Sequence, residues 1–299
     1  MKFKRWFKFV ILLPILALLP LLIGQQPLSD TQLRQIIADW LGYPVDQIQF
    51  RDFGISNVPR ITVSPSYPYR GGISRVQQYE VLLPNNMVYY VDIDRYTGFI
   101  YGAGNIIQIP NLTRDKMLPP DQAVALARKY LQRYFIWGDT SNWEVTGITP
   151  EVENGQWKEV QPMISVNFEP PLQAPELPEG VEFFNEAIVC SVTICAVRGD
   201  LVGFGSMYCQ MDFPMEPFIT PEEAKNLARQ HLHSRGLRID GEGHWNCMVL
   251  APEVETMKAR LVYMFIFDHQ TFEDEDAYIP VWVGVDAHTG EIVYQDPTW

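Results

Sequence analysis

The segment DAHTGEI (residues 286–292) has a close counterpart in DRYTGFI (residues 94–100). In both, an Asp can accept hydrogen bonds from the backbone N–H groups of the following turn, and a Gly can supply the positive φ angle that such a turn needs. Each segment follows a run of alternating apolar residues, so each predicts the turn of a β-hairpin. The residues of this turn motif are Asp94, Thr97, Gly98, Asp286, Thr289 and Gly290.

Other parts of the chain also correspond to one another. Segment 121–131 aligns with segment 222–232, and the sequence Pro-Glu-Val-Glu occurs at both 150–153 and 252–255. Between these two copies the turn segment reads CAVRGDL (195–201), which keeps the Gly but lacks the Asp and Thr. Agreement at a nearly constant spacing predicts a duplicated unit.

Each predicted unit begins with an amphipathic helix, since apolar residues recur at i, i+3, i+4 and i+7. Ser29 with Gln32, and Thr220 with Glu223, have the spacing of a capping box. The apolar stripe of the first helix consists of Leu33, Ile36, Ile37, Trp40 and Leu41.

Alternating strands follow each helix, as in residues 163–168, 260–267 and 279–285. We therefore predict an α+β fold of three tandem repeats behind an amino-terminal signal or transmembrane helix. Each repeat would consist of one helix followed by a roughly four-stranded antiparallel sheet. The predicted domains are 1–27, 28–110, 118–212 and 218–299.

The opening helix, the strands and the closing segment VDAHTGEI (285–292) together resemble the PepSY domain family, which includes the propeptides of thermolysin-type metalloproteases. The segment TPEEAKNLA (220–228) looks like the opening helix of that family. The third predicted repeat resembles it best, the first through its last hairpin, and the second mainly through its similarity to the third. The resemblance implies a non-catalytic, extracytoplasmic module, often linked to inhibiting or chaperoning a peptidase. It carries over no catalytic residues.

The amino terminus indicates export. The basic stretch MKFKRWFK (1–8) precedes the uncharged run FVILLPILALLPLLIG (9–24), which is the pattern of an export signal. No small-residue cleavage site and no Cys for lipid attachment follow this run. We predict an uncleaved anchor in a single-pass membrane protein, with the bulk of the chain extracytoplasmic. A protein secreted after signal cleavage is the alternative.

Composition and motifs argue against a disordered chain, a nucleic-acid-binding protein and a zinc protease. The chain has 299 residues, 47% of them hydrophobic, and a net charge of −13. This composition is that of a globular protein, and a basic footprint for nucleic acid is missing. No His-Glu-x-x-His motif is present, and His231 and His233 would diverge by about 200° on a helix. The segment GFGS (203–206) is expected inside a strand. We therefore predict no catalytic residue, no cofactor and no metal ligand.

Two cysteines lie on either side of the middle hairpin. If Gly199 and Asp200 form its tip, Cys190 and Cys209 lie opposite each other; a longer tip would shift the register by one to three residues and leave them near each other but not directly paired. An exported chain permits a disulfide there, and closing such a loop contributes about 3 kcal/mol. The alternative is that both are buried free thiols, which pack as small apolar groups.

Each predicted repeat also contains one long insertion, at 58–75, 169–185 and 269–277. The first two are rich in Pro and aromatic residues, and they could form a partner-binding groove or cover an open sheet face. The third contains FEDED (272–276), whose carboxylates suit calcium but lack the spacing of an EF-hand loop. A solvated acidic loop is the alternative.

These features predict a membrane-anchored, extracytoplasmic PepSY-like binding protein. Its expected partner is a protein or peptide, in particular a peptidase or cell-envelope hydrolase that it inhibits or chaperones. One alternative is a structural or assembly component of an envelope complex. The other is a hydrolase that uses the paired carboxylates of 150–153 or 252–255.

Overall fold

The computed structural model describes residues 26–56, 76–105, 109, 111–253, 256–270 and 278–296. Strands hold 44% of these residues, and three α-helices accompany them: α1 (Asp30–Leu41), α2 (Pro120–Tyr134) and α3 (Pro221–Ser234). The strands are β1 (Gln49–Ser56), β2 (Val76–Leu82), β3 (Val88–Asp94), β4 (Ile100–Gly104), β5 (Glu144–Thr149), β6 (Val152–Glu153), β7 (Gln156–Trp157), β8 (Met163–Glu169), β9 (Glu182–Asn185), β10 (Ile188–Cys195), β11 (Leu201–Tyr208), β12 (Ile239–Glu253), β13 (Lys258–Gln270), β14 (Tyr278–Asp286) and β15 (Ile292–Asp296).

The helix starts are those that the sequence predicts. Ser29 and Gln32 form a capping box at α1, and Thr220 and Glu223 form one at α3. Each box gives partners to N–H groups that the first turn of a helix leaves unpaired. The helix α2 begins with Pro120, whose fixed φ suits the first position.

Eight strands form one antiparallel sheet in the order β1-β2-β3-β4-β11-β10-β8-β5. The helices α1 and α2 pack on one face of this sheet. The indole Nε1–H of Trp40 on α1 donates to the carbonyl of Tyr134 on α2 at 2.9 Å, and the Trp40 ring lies 5.4 Å from that of Phe204 on β11. One apolar core thus lies beneath both helices.

The remaining long strands form a second sheet in the order β15-β14-β13-β12-β9. Its core lies beneath α3. The short strand β9 pairs in parallel with β12, matching Phe183 with Met248. The chain leaves the first sheet after β8, adds β9 to the second sheet, and returns to the first as β10. The strands β6 and β7 form a separate small hairpin.

The predicted architecture of three repeats, each with its own four-stranded sheet, is wrong. The described protein is mostly β, one sheet has eight strands, and the other takes its fifth strand from the insertion at 169–185. The physical reason is the cost of free sheet edges. An isolated sheet ending at β4 or β11 would leave unpaired backbone groups, and pairing these two strands removes both edges.

The turn after β3 is held directly against α1. The N–H of Leu28, just before the helix, donates to the carbonyl of Arg95 in the turn at 2.6 Å. Gly98 has φ +74°, and a Cβ at this position would lie 2.7 Å from Cδ1 of Ile36 on the helix. The backbone angle therefore favours glycine at this turn, and a Cβ there would also force the end of the Ile36 side chain to shift.

The same contact occurs at the other two helices. Leu118 before α2 donates to Ala196 at 2.7 Å, and Ile219 before α3 donates to Ala287 at 3.1 Å. A Cβ at Gly199 would lie 2.7 Å from Leu126 on α2, and one at Gly290 would lie 2.9 Å from Leu227 on α3. Each helix is thus fastened to the last turn of the strands that follow it; we call this the helix–turn contact.

No helix in the described part of the chain is both long enough and apolar enough to cross a membrane. Residues 1–25 of the predicted anchor lie outside the described residues. The domain boundaries at 28–110, 118–212 and 218–299 stay predictions.

The helix–turn contact predicts unequal effects of two glycine substitutions. Gly155 in the β6–β7 turn also has a positive φ, but a Cβ there meets nothing within 4 Å. Gly155→Ala should lower the free energy of unfolding by about 1 kcal/mol through backbone strain alone. Gly98→Ala also forces the end of the flexible Ile36 side chain to shift and should cost about 2 kcal/mol in all. Urea denaturation of the two variants measures the difference, and equal losses would contradict the helix–turn contact.

Candidate functional site

A groove of about 860 Å³ lies on the face of the eight-stranded sheet opposite α1 and α2. Its size is within the range of about 300–1,000 Å³ that is typical of small-molecule sites. The floor is formed by the two strands at the centre of the sheet, β4 and β11, where glycines face one another across the ladder. We call it the glycine groove, after the floor residues Gly102, Gly104, Gly203 and Gly205.

Strand alternation explains this floor. Ala103 and Phe204 point toward the helices and are buried in the core, so their neighbours in sequence point the other way. Those neighbours have no side chains, and the sheet surface is bare backbone. A Cβ at Gly104 would meet nothing within 4 Å, and one at Gly102 would come no closer than 3.6 Å to another atom. A Cβ at Gly203 would lie 3.2 Å from Cβ of Thr193, so the floor is open at Gly102 and Gly104 and packed against the neighbouring strand at Gly203.

An aromatic wall stands on one side of the floor. Phe53 is 48% exposed and Tyr90 is 41% exposed, and their ring centroids are 6.3 Å apart. A β-bulge between Asp52 and Gly54 places Phe53 outside the regular register. The guanidinium of Arg51 lies 5.0 Å from the Phe53 ring. Two large rings thus present exposed surface beside the bare floor.

Polar side chains complete this wall. The amide Nε2–H of Gln78 on β2 donates to Oδ1 of Asp92 on β3 at 2.7 Å. Asp92 lies opposite Gly102 in the register, so its carboxylate stands at the edge of the floor. This pair offers both donor and acceptor positions to a ligand.

Hydroxyl groups form the opposite wall. Ser191 lies opposite Gly205 and Thr193 opposite Gly203, both on β10. The Thr193 hydroxyl is hydrogen-bonded to that of Ser165 on β8 at 2.8 Å. This wall is polar and uncharged.

A second cavity of about 510 Å³, which we call the continuation, lies next to the groove and shares Tyr90 and Asn105 with it. Glu80 and Arg198 border the continuation. The Arg198 guanidinium Nε lies 2.6 Å from Oδ2 of Asp200, so this cation is already paired. The combined site is elongated.

The groove lining shows no nucleophile with a base beside it. Its lining residues include neither His nor Cys, and Oδ1 of Asp92 accepts a hydrogen bond from Gln78. Across the described ranges, no group of three or more His, Cys, Asp or Glu side chains could hold a metal ion. The arrangement is suited to holding a ligand by contact and hydrogen bonds.

The predicted turn residues form hairpin turns away from this groove. Oδ1 of Asp94 accepts from the N–H groups of Tyr96 and Thr97, both at 2.8 Å. Asp286 does the same for His288 and Thr289 at 2.9 Å. The side-chain hydroxyls of Thr97 and Thr289 then accept from the N–H two residues later. These residues shape the helix–turn contact.

The middle turn keeps this geometry with a sulfur atom in place of the carboxylate. Sγ of Cys195 lies 3.5 Å from the N–H of Arg198, and the N–H of Gly199 donates to the Cys195 carbonyl at 2.9 Å. The lost Asp is thus replaced by a weaker acceptor.

The predicted position of Cys190 directly opposite Cys209 is not what the register shows. Cys190 lies opposite Ser206, and the N–H of Cys209 donates to the carbonyl of Ala187 at 2.9 Å. All four cysteines are free and buried. Burial raises the pKa of the Cys190 thiol well above its usual value and raises that of Cys209 to about 12.

Two of the histidines, His231 and His288, make contacts that hold elements of the fold together. Nε2 of His231 lies 2.8 Å from Oε1 of Gln295. Nε2 of His288 lies 3.0 Å from the carbonyl oxygen of Pro214. These contacts join α3 to β15, and the last turn to the preceding linker.

Two glutamates of the Pro-Glu-Val-Glu segments, Glu151 and Glu253, form ion pairs. Glu151 is paired with Lys158, and Glu253 with Arg260. Partial burial raises the pKa of Glu253, but hydrogen bonds from neighbouring side chains, Arg260 among them, outweigh it and hold the pKa below its usual value. Glu255 lies outside the described residues.

The insertions have different outcomes. Within 169–185, residues 182–185 form β9, so part of this segment is a strand rather than a loop. The segments 58–75 and 272–276 lie outside the described residues.

The glycine groove is a feature that the sequence did not predict. Its signal was the alternating glycine in IYGAG (100–104) and in GFGS (203–206), which lies in β11 as expected.

Comparisons with known proteins give little further help. No protein-family profile and no curated protein matches the chain. Among solved structures, the Bacillus megaterium YpeB C-terminal domain is 14% identical with a TM-score of 0.39, covering 91% of this chain and 98% of that one. An uncharacterized protein from Eubacterium rectale is 12% identical with a TM-score of 0.32, covering 88% and 81%. Similarities this weak support no conclusion about function.

Burial of the thiols predicts their reactivity. Alkylation requires the thiolate, and burial both shields these sulfurs and raises the pKa of Cys190, Cys209 and Cys247. At pH 8 the native protein should therefore resist iodoacetamide. After unfolding without reductant, intact mass should show four modified cysteines.

A parallel sample that is reduced before alkylation is the control. Only two modified cysteines without reductant, against four with it, would show a disulfide and contradict the free thiols of the structure.

Proposed function

We propose that this chain is an extracytoplasmic PepSY-like binding protein that acts without catalysis. The observation that carries the proposal is the glycine groove, which has exposed rings and polar walls but no paired nucleophile and base among its lining residues. Large rings on a sheet surface are costly to leave in water, and this favours a role in contact with a ligand.

The proposed role is to regulate a peptidase or a cell-envelope hydrolase, either by inhibiting or by chaperoning it. It is supported by the sequence resemblance of 220–228 and 285–292 to the PepSY family and by the basic, then apolar, amino terminus. The proposed location is the cell membrane, with the folded part outside the cytoplasm. An assembly component of an envelope complex is the second candidate, because a binding surface serves that role equally.

The test adds purified full-length chain to envelope extract of the source cells and measures peptidase and wall-hydrolase rates. The wild-type chain should change one of these rates in a saturable way. Gly104→Leu fills the groove at a position where a Cβ meets nothing within 4 Å, and this variant should lose the effect. Ile136→Ala is the matched control, since Ile136 is 63% exposed and lies outside the groove.

An unchanged rate for every enzyme would contradict the regulatory role. Hydrolysis of peptide or wall substrate by the purified chain alone would contradict a non-catalytic function. Deleting 169–185 is unsuitable as a test of partner binding, because it would remove β9 and expose the edge of β12.

A further inference from the structure

We propose that the glycine groove binds an uncharged oligosaccharide chain. This inference rests on the proposed function, and it names the ligand of the same site. Its basis is the joint presence of a bare floor, an aromatic wall and a hydroxyl wall on the central strands of the sheet.

The position of the groove decides against recognition by strand addition. Peptides that add to sheets use the free N–H and C=O groups of an edge strand. The floor strands β4 and β11 are central, and each has hydrogen-bonded neighbours on both sides. Their backbone groups are already committed to the sheet, so a ligand must be recognised by side chains and by fit to the floor.

The aromatic wall suits a sugar ring. A pyranose has one face of C–H groups that packs on an aromatic ring, and its hydroxyls remain at the rim. Phe53 and Tyr90 expose 48% and 41% of their surface beside the floor. The glycines lower the floor, so that a ring in contact with Tyr90 does not meet a side chain beneath it.

The polar groups match the rim of such a ring. The bonded pair Gln78 and Asp92 stands on one wall, and the hydroxyls of Ser191 and Thr193 stand on the other. Side-chain hydroxyl, amide and carboxylate groups supply the donors and acceptors that sugar hydroxyls require. The exposed apolar surface of the described lining comes mainly from the two rings of the aromatic wall, because Val91, Ala103 and Phe204 belong to the opposite, buried face.

Charge favours an uncharged ligand. The cation that borders the continuation, Arg198, is paired with Asp200. The carboxylates of Asp92 and Glu80 line the site, and the whole chain carries a net charge of −13. The guanidinium of Arg51 lies beside the aromatic wall, so charges of both signs border the site, and it is the net charge of the whole chain that disfavours an anionic polymer. The continuation past Tyr90 and Asn105 gives room for several linked rings rather than one.

Isothermal titration calorimetry of the full chain in mild detergent tests the proposal. The probes are the tetramers of N-acetylglucosamine and of glucose. At least one should bind with a Kd below about 1 mM. Tyr90→Ala should weaken that binding about tenfold through loss of the stacking surface, and Tyr90→Phe, which keeps the ring, should stay within about threefold of wild type.

Gly104→Leu should abolish the binding, and Ile136→Ala should leave it unchanged. Circular dichroism of each variant confirms that it is folded. Binding of neither tetramer overturns the proposal, as does binding that the groove variants leave intact. A neutral pentapeptide of Ala and Gly is the third probe, and its binding in place of the sugars would assign the groove to polypeptide.

The two proposals fail separately. If neither sugar binds, but Gly104→Leu still abolishes the effect on an envelope enzyme, the regulatory function stands and the saccharide assignment falls. If a sugar binds in the groove and no enzyme responds to the chain, the saccharide site stands and the regulatory function falls.

Discussion

The helix–turn contact is the constraint on which the rest of the structure depends. A hairpin turn is local, but the glycine at its end packs beneath a helix that precedes it by several strands. The strands β1 to β3 lie between Ile36 and Gly98 in the sequence. The hydrogen bond from the N–H of Leu28 to the carbonyl of Arg95 fixes the orientation of the turn against the helix. A turn in the wrong register would displace this glycine and bring a side chain against the helix. The contact thus sets strand register and helix position together, since cores tolerate little overpacking.

Pairing of β4 with β11 follows from the same geometry. Once α1 and α2 lie on one face, their strands share one core, and the two last strands become neighbours. Glycines on the opposite face of these strands cost local stability, because they add backbone freedom and bury nothing. In return they leave a smooth depression at the centre of a wide sheet. The candidate site is therefore a product of how two sheet halves join, and it belongs to neither half alone.

Features that depend on neighbouring residues could be predicted from the sequence, whereas the groove, which arises where β4 pairs with β11, could not. The capping residues Ser29 and Thr220 and the turn residues Asp94 and Asp286 act within a few positions of themselves, so their roles follow from spacing. The register of the middle hairpin does not follow from spacing, because it depends on the length of the turn. This turn begins at Cys195 and is longer than a two-residue tip at Gly199 and Asp200, so the pairing of the two strands is shifted. Joining of the sheet halves depends on contacts between residues about a hundred positions apart, for which one sequence carries no direct signal. The groove floor was visible only as alternating glycines, which have several structural uses.

The strand β9 has a consequence for solubility. A long strand such as β12, if its outer edge were free, would be a template on which a second molecule could pair and start polymerisation. The chain covers the segment Cys247–Leu250 of this edge with its own residues 182–185, and the N–H of Glu186 donates to the carbonyl of Leu250 at the end of this ladder. The built-in strand outcompetes any other molecule because it is tethered, at a high effective concentration. The second sheet is thereby protected against self-association along the part of β12 that residues 182–185 cover.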